Sequence, residues 1–296
     1  MSDIFTLQTF NTRFKSDDDC LSEIFNLKYP QGVHCVKCNK ITKYYKLKGR
    51  KSYSCEFCRT QIHPLAGTVF EKTTTPLKLW FHGLFLMTQT RSGISAKQLQ
   101  RMLGVTYKTA WRMWRQIRTL MADTDSSLLD GVVEIDETFI GGKGKNRMSK
   151  WTQGIEEEQK EVVMGMIKRD GKAVLKHVQN TGKWTLIEQI DKYVSPKARI
   201  ITDQYAGYTQ LKKRGYNHEF VNHNVTFVTK GDIHTQNAEN VWSHLKRGIY
   251  GVYRHVSKKY LQAYADEYAF RYNNRKNSDK MFDILLNQIA FVKVVK

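Results

Sequence analysis

The chain has 296 residues, enough for one large domain or for two to three smaller ones, and its 41% hydrophobic content can form real cores. Lysine and arginine outnumber aspartate and glutamate by 48 to 28, and the formal charge of +20 favours phosphate polyanions as partners. The N-terminus has no basic start followed by an apolar stretch, and the most apolar segment, residues 79–87, is too short to cross a bilayer. We therefore expect an intracellular protein, cytoplasmic in a bacterium or nuclear in a eukaryote, without a membrane partner.

After an N-terminal segment (residues 1–30), residues 31–70 contain two Cys-x-x-Cys pairs. Sixteen residues separate Cys38 from Cys55, which is the spacing of a structural zinc ribbon, and residues 43–47 and 51–54 predict a hairpin between the pairs. So small a module has little core without the roughly 10 to 16 kcal/mol that zinc binding supplies. The predicted zinc ligands are Cys35, Cys38, Cys55 and Cys58. Four reduced cysteines without metal are the alternative.

Two histidines near the pairs and one further cysteine lie outside the predicted zinc site. His34 and His63 lie close in sequence, but four thiolates already complete a tetrahedral site, so we interpret both as surface or packing residues. We interpret Cys20 as an inert thiol.

Residues 75–121 predict a helical module. It begins with an apolar helix, and a helix-turn-helix follows within the same range. Ser95 begins a short helix with a capping box, and this helix ends near Leu103. After a turn that contains Gly104, Thr106 can cap a second helix that runs through Ile117. A plain helical hairpin is the alternative.

The second helix of this module carries an apolar and a basic set of side chains. Trp111, Trp114 and Ile117 share one face, which we assign to the core. Residues 31–120 contain 17 lysines and arginines against two acidic residues, a density that a solvated surface explains poorly. We predict that the basic residues on the second helix bind double-stranded DNA: Lys108, Arg112, Arg115 and Arg118.

A polar linker (residues 122–130) leads to a predicted α/β domain at residues 131–290. Its strands and helices alternate, and a hairpin precedes a return to parallel pairing. Residues 141–159, rich in glycine, lysine and glutamate, predict a mobile loop. The predicted strands are residues 131–140, 161–168, 173–179 and 198–203, and the predicted helices include residues 184–193 and 260–272.

Three acidic residues of this domain are candidates for divalent-metal ligands. Asp136 lies in an apolar strand, Asp203 ends another, and Glu239 opens a helical pattern. Carboxylates on two strands and a helix can hold two Mg²⁺ ions, which stabilise the attacking and leaving oxygens of a phosphoryl displacement.

Each of these assignments has an alternative. Glu134 shares strand parity with Asp136 and could face the metal instead, whereas Glu137 should point to the opposite face. Asp203 could be a turn residue and Glu239 an ordinary acid in the first turn of a helix. Lys246, almost two turns after Glu239, could contact DNA near the scissile phosphate or form a surface salt bridge. Trp242 we interpret as a packing residue.

The ordered motifs of residues 20–275 resemble the ISXO2-like, zinc-ribbon group of DDE-type insertion-sequence transposases, which is related to the Merlin superfamily. The motifs are the cysteine pairs, the helix-turn-helix, and the segments 134–138, 141–143, 202–208 and 237–248. The resemblance implies a ribonuclease-H-like catalytic domain that cuts DNA and transfers strands at transposon ends. By position it makes Asp136, Asp203 and Glu239 ligands of Mg²⁺ or Mn²⁺.

We therefore expect a transposase that binds transposon ends and target DNA, acts as a homo-oligomer in the DNA complex, and uses water and then a 3′-hydroxyl as nucleophiles. A non-catalytic, domesticated DNA-binding regulator would have the same N-terminal modules but would not need the acidic triad. A structure-selective nuclease of the same fold would not need two modules that read sequence.

Overall fold

A computed structural model describes residues 5–141, 160–221 and 233–292 of the chain. It divides into two compact units, one formed by Met1–Met121 with Asn277–Lys296 and the other by Ala122–Lys276. The α/β domain was predicted to extend to residue 290, whereas Asn277–Lys296 group with the first unit. Residues after 277 belong to the first unit because Phe282 is buried there against the rings of Phe10 and Phe14.

The first unit begins with two helices that the sequence analysis did not assign, α1 (Leu7–Arg13) and α2 (Asp17–Lys28). Ser16 caps α2 in a reciprocal capping box with Asp19, and three aspartates in the first turn suit the positive end of the helix dipole. These helices bury Phe10, Leu21 and Ile24. They are therefore part of the core rather than a loose terminal segment.

The cysteine-rich segment folds as short antiparallel strands. The predicted hairpin is present, with Tyr45 opposite Ser54. The strands are β1 (Val33–Cys35), β2 (Lys40–Thr42), β3 (Tyr44–Lys46), β4 (Tyr53–Cys55) and β5 (Gln61–Ile62). β1 pairs with β2, and β3, β4 and β5 form a second small sheet.

Three helices follow, α3 (Leu77–Gln89), α4 (Ala96–Leu103) and α5 (Tyr107–Thr119). Ser95 and Thr106 cap α4 and α5, as the sequence predicts. Gly104 ends α4 in the left-handed conformation with φ of 65°, which costs glycine little. The predicted helix-turn-helix is confirmed.

The second unit contains a five-stranded sheet with the order β10-β9-β6-β7-β8. β6, β7 and β8 form an antiparallel meander, and β9 and β10 continue parallel to β6. Numbered within the unit, the strands run 5-4-1-2-3, the arrangement of a ribonuclease-H-like sheet. The strands are β6 (Val132–Ile140), β7 (Glu161–Lys168), β8 (Ala173–Val178), β9 (Arg199–Asp203) and β10 (Asn217–Val221), the last of which was not predicted.

Helices cover both faces of this sheet. Helix α6 (Lys183–Tyr193) lies on one face, where its buried Ile187 and Ile190 join the core formed around Ile135. Helices α7 (Gln236–Gly248) and α8 (Leu261–Asn273) share the other face and its core. The remaining helix, α9 (Met281–Asn287), belongs to the first unit. The fold is thus the expected α/β, ribonuclease-H-like domain preceded by a zinc ribbon and a helix-turn-helix.

Two further findings concern the predicted loop and the length of the helices. The predicted mobile loop falls almost entirely on residues 142–159, which lie outside the described residues. Across the three described ranges, no helix combines the length and apolar character needed to cross a membrane.

Candidate active site and zinc centre

Asp136 and Asp203 lie side by side on neighbouring strands. The parallel pairing of β6 with β9 ends with Glu134 opposite Ile201, and this register continued by two residues would bring Asp136 level with Asp203. The charge of Asp203 acts on Asp136, which agrees with that placement. Paired residues of adjacent strands point to the same face. β9 ends at Asp203, at the carboxyl edge where open α/β sheets bind ligands.

The third acidic residue comes from the helix that packs on this face. Glu239 is exposed and lies in the first turn of α7. One turn later, the indole Nε1 of Trp242 donates a hydrogen bond of 2.8 Å to Oδ2 of Asp136. Since three residues separate Glu239 from Trp242, this bond brings the turn that begins at Glu239 to the strand that carries Asp136.

Electrostatics connect the three carboxylates. Burial raises the pKa of Asp136 above its ordinary value, the Trp242 hydrogen bond opposes this rise, and the negative charges of Asp203 and Glu239 add to it. Their oxygen atoms are not all within 4.8 Å of one another. The fit to Mg²⁺ therefore rests on the chemistry of the donors, because this hard cation takes oxygen ligands such as carboxylates.

Glu134, the alternative to Asp136, is engaged elsewhere. Its side chain is fully buried, Oε1 accepts from Arg169 Nε at 2.7 Å, and Oε2 accepts from the backbone N–H of Asn237 at 2.8 Å. These hydrogen bonds occupy both carboxylate oxygens. Glu134 is therefore committed to Arg169 and α7, which leaves Asp136 as the residue of this face beside Asp203 and Glu239.

Glu137 points to the opposite face, as strand parity predicts. It accepts a hydrogen bond from the hydroxyl of Tyr208, a buried residue in the segment that follows Asp203. Burial raises the pKa of Glu137 to about 7, and the charges of Asp136 and Asp203 act in the same direction.

Trp242 and Gly165 are site residues whose roles the sequence analysis missed. Trp242 packs in the core as predicted, but it also orients Asp136. Gly165 lies opposite Asp136 on β7, and a Cβ there would come within 2.6 Å of the Trp242 ring. The glycine thus makes room for the indole, and a glycine inside an apolar strand was the available signal.

Lys246 lies in the last turn of α7 and is partly buried. Seven residues from Glu239, it falls on nearly the same stripe of the helix. The helix therefore carries an acidic and a basic group along one line.

The four cysteines of the ribbon form a compact metal-binding cluster. Their sulfur atoms all lie within 4.8 Å of one another, with 3.4 Å between Cys35 and Cys58 and 3.9 Å between Cys38 and Cys55. A tetrahedral zinc site with Zn–S bonds of about 2.3 Å separates its sulfurs by about 3.8 Å. The donor set and spacing fit structural zinc. His34 and His63 are both exposed, and burial raises the pKa of the Cys20 thiol to about 12.

Hydroxyl groups surround these sulfurs. A hydrogen bond from Tyr44 lowers the pKa of the Cys35 thiol to about 6, whereas the hydrogen bond with Cys58 raises the pKa of the Cys38 thiol to about 12. Thr42 Oγ1 lies 3.3 Å from the sulfur of Cys55, and Thr60 Oγ1 lies 3.1 Å from that of Cys58. Such groups orient metal ligands from outside the coordination sphere.

The four basic residues predicted on α5 differ in exposure. Lys108 and Arg115 are exposed, and Arg112 is partly buried with Nη2 donating to the backbone oxygen of Glu71 at 3.2 Å. Arg118 corrects the prediction. It is only 1% exposed and stacks with its guanidinium carbon 3.3 Å from the centre of the Trp114 ring, so it is a core residue and not part of a DNA-binding surface.

Two known protein families match this chain, one over the α/β domain and one over the cysteine-rich segment. Residues 128–273 match the ISXO2-like transposase domain, and residues 15–61 match the transposase zinc-ribbon domain. The chain belongs to this family of transposases. The zinc-ribbon match begins just before α2, so the ribbon domain of this transposase includes part of the segment that the sequence analysis had set apart as residues 1–30.

The transposase is similar in sequence to one curated protein and has a weak structural likeness to two solved complexes. It is 27% identical to an uncharacterized protein in transposable element ISH50 of Halobacterium salinarum, a match covering 87% of this chain and 91% of the relative. The simian T-cell lymphotropic virus intasome in complex with PP2A regulatory subunit B56 gamma is 10% identical, with coverage of 73% and 68% and a TM-score of 0.27. The pre-cleavage Mos1 transpososome is 11% identical, with coverage of 72% and 80% and a TM-score of 0.28.

Proposed function

We propose that this transposase binds the terminal DNA of its transposon and catalyses metal-dependent strand cleavage and strand transfer. One observation carries the proposal. Asp136 and Asp203 lie on adjacent parallel strands, Trp242 of the helix that bears Glu239 binds Asp136, and the charges of Asp203 and Glu239 both act on Asp136. A structural role explains poorly why a mostly buried Asp136 should lie in the field of two further carboxylates.

The chain's own residues then have distinct tasks. Asp136, Asp203 and Glu239 would hold Mg²⁺ or Mn²⁺, which when bound supplies a Lewis acid for phosphoryl transfer. Trp242 orients the Asp136 carboxylate. Lys246, on the stripe of Glu239, would contact the DNA backbone near the scissile phosphate.

The N-terminal modules would provide binding to specific ends. The ribbon and the helix-turn-helix lie in the segment with the strongest excess of positive charge, which suits contact with the phosphate backbone. Lys108 and Arg115 are its exposed candidates on α5, with Arg112 partly available. Because two transposon ends must be brought together for transfer, we propose that the protein acts as a homo-oligomer on double-stranded DNA.

The test uses purified full-length protein, its own flanking terminal DNA and Mg²⁺, with the products mapped at nucleotide resolution. Wild type should cut at the transposon boundary and join the 3′ end to a target. Asp203→Asn keeps the size and removes the charge needed for the metal, so it should bind the ends nearly as well as wild type while losing cleavage and joining.

The control is Asp191→Asn, which changes an acid on α6 that pairs with Arg214 away from the site, and should cleave normally. Wild-type cleavage by the Asp203→Asn variant would overturn the metal-ligand assignment. Binding of the ends without cleavage by wild type would favour the non-catalytic regulator instead.

A further inference from the structure

The first turn of α7 is held by a carboxylate from the sheet. Oε2 of Glu134 accepts hydrogen bonds from the backbone N–H of Asn237 at 2.8 Å and of Ala238 at 3.3 Å. Oε1 accepts from the side-chain amide of Asn237 at 2.9 Å. Glu134 thus binds the helix through two backbone N–H groups and one side chain, although 103 residues separate it from Asn237 in the sequence.

This arrangement replaces a local cap. The first N–H groups of a helix have no partner inside the helix and need an acceptor. Thr235, the N-cap residue of α7, makes no capping hydrogen bond through its side chain within the described structure. Glu134 supplies the acceptor instead, and its negative charge suits the positive end of the helix dipole.

Arg169 completes the connection. Its Nε donates to Glu134 Oε1 at 2.7 Å, and its Nη2 donates to the backbone oxygen of His234 at 3.0 Å, just before the helix. Glu134 is fully buried, so the Arg169 cation and the helix N–H groups are what make a charged carboxylate tolerable there. The imidazole Nδ1 of His234 is 3.4 Å from Oε1 and belongs to the same group.

The position of Glu134 relates this cap to the candidate metal site. Glu134 and Asp136 are two residues apart on β6 and point to the same face, where both accept hydrogen bonds from α7. Glu239 follows Asn237 within the first turn of α7. The strand that carries one acidic ligand therefore sets the start of the helix that carries another.

We propose that Glu134 is a positioning residue that fixes the first turn of α7, and with it Glu239, relative to Asp136. This inference rests on the proposed function, because it assigns Glu134 to assembly of the divalent-metal site. Glu134 itself does not bind the metal, since its oxygens are committed to the helix and to Arg169.

The test compares Glu134→Gln with a matched control, Glu267→Gln. Glu267 is also fully buried and paired with an arginine, Arg271, but it lies on α8, where its carboxylate accepts from Arg271 and from the hydroxyl of Tyr253. Both variants remove the charge of a buried ion pair. Only Glu134→Gln removes the charge that caps the helix bearing Glu239.

Two readouts besides activity separate positioning from general stability. Hydrogen exchange reports protection of the backbone amides of residues 236–240, and electron paramagnetic resonance measures Mn²⁺ binding to the full-length protein. Glu134→Gln should expose these amides and weaken Mn²⁺ binding by about tenfold, as expected when a residue that orients metal ligands is removed, whereas Glu267→Gln should do neither. In cleavage assays, Glu134→Gln should need more Mg²⁺ for half-maximal rate and recover rate at high Mg²⁺.

If Glu134→Gln does not fold, Asn237→Ala provides the second variant, because it removes one donor to Glu134 and keeps the buried charge paired. It should shift Mn²⁺ binding in the same direction by a smaller factor. Equal effects of Glu134→Gln and Glu267→Gln, or unchanged Mn²⁺ binding in Asn237→Ala, would overturn the positioning role. Failure of wild type to cleave, with Mn²⁺ binding still dependent on Glu134, would instead overturn the proposed function alone.

Discussion

Strand β6 carries three acidic side chains within four residues, and their surroundings separate them. Glu134 receives backbone N–H groups and an arginine. Asp136 receives one indole N–H and lies in the field of two carboxylates. Glu137 faces the other side of the sheet and receives a phenol. Glu137 shares this charge environment, since Asp136 and Asp203 also raise its pKa, but it lies on the face away from α7. Asp136 is therefore the one of the three that faces α7 with a neutral side-chain donor, where a bound cation would relieve the repulsion from Asp203 and Glu239.

The raised pKa of Glu137 predicts a pH-dependent stability. Since the folded state raises this pKa from 4.5 to about 7, it holds the proton more strongly than the unfolded state does. Stability is therefore lost as pH rises between these values. Glu137→Gln keeps an acceptor for Tyr208 and removes this loss. In urea unfolding, its gain over wild type should grow across that window to about 3 kcal/mol.

The control for this prediction is Glu188→Gln, a change at an exposed acid on α6. It should leave the free energy of unfolding within about 0.5 kcal/mol of wild type at every pH, as is usual for surface substitutions. A constant difference between Glu137→Gln and wild type across the window between the two pKa values would contradict the assignment of the shift to Glu137.

At this scale the sequence predicted side-chain direction better than side-chain contacts. Strand parity placed Glu134 and Asp136 on one face and Glu137 on the other because alternation is a property of the strand itself. The cap on Asn237 and the Trp242 bond depend on residues more than a hundred positions away. Arg118 shows the same limit, because its helical position was known but its burial against Trp114 depends on how the helix packs.

Among the elements, the zinc ribbon has the clearest dependence on a ligand. Its strands have two or three residues each, too few to be stable alone, so zinc binding and folding should be coupled. Cys55→Ser should abolish stoichiometric zinc and unfold residues 31–63. Metal analysis and hydrogen exchange of the full-length protein measure the two effects.

Cys20→Ser is the matched control, because Cys20 is a buried thiol outside the four-cysteine cluster. It should keep full zinc content, although it can lower stability by placing a hydroxyl in an apolar site. Full zinc content and unchanged exchange in Cys55→Ser would show that the cluster is not a coupled metal site.

Strands and helices with a clear apolar pattern or a capping residue could be predicted from the sequence. Elements without such a signal could not. The apolar runs of β6, β7 and β9 and the capped helices α4 and α5 agree with their sequence signals. β10 was missed because its sequence contains asparagine, histidine and glutamate, and only pairing with β9 makes it a strand. The predicted α/β domain ran to residue 290, whereas Asn277–Lys296 group with the first unit, since chain order does not reveal where Phe282 packs.

In the whole molecule, the strongest excess of positive charge and the candidate metal ligands lie in different parts of the chain. The basic excess of residues 31–120 belongs to the first unit, whereas the three carboxylates belong to the second. If this division reflects function, affinity for DNA and the rate of the chemical step should respond to different substitutions.

The exposed basic residues of α5 provide the test of this division. The double variant Lys108→Ala, Arg115→Ala should weaken binding to terminal DNA and lower the slope of log affinity against log salt by about 1 for each phosphate that is no longer neutralised. At saturating protein on a pre-cut end, strand transfer should remain near wild type because the carboxylates are untouched. Arg118→Lys is the contrasting variant, since it alters a buried stacked side chain and should lower stability. A salt slope that stays at the wild-type value in the double variant would exclude Lys108 and Arg115 from the DNA-binding surface.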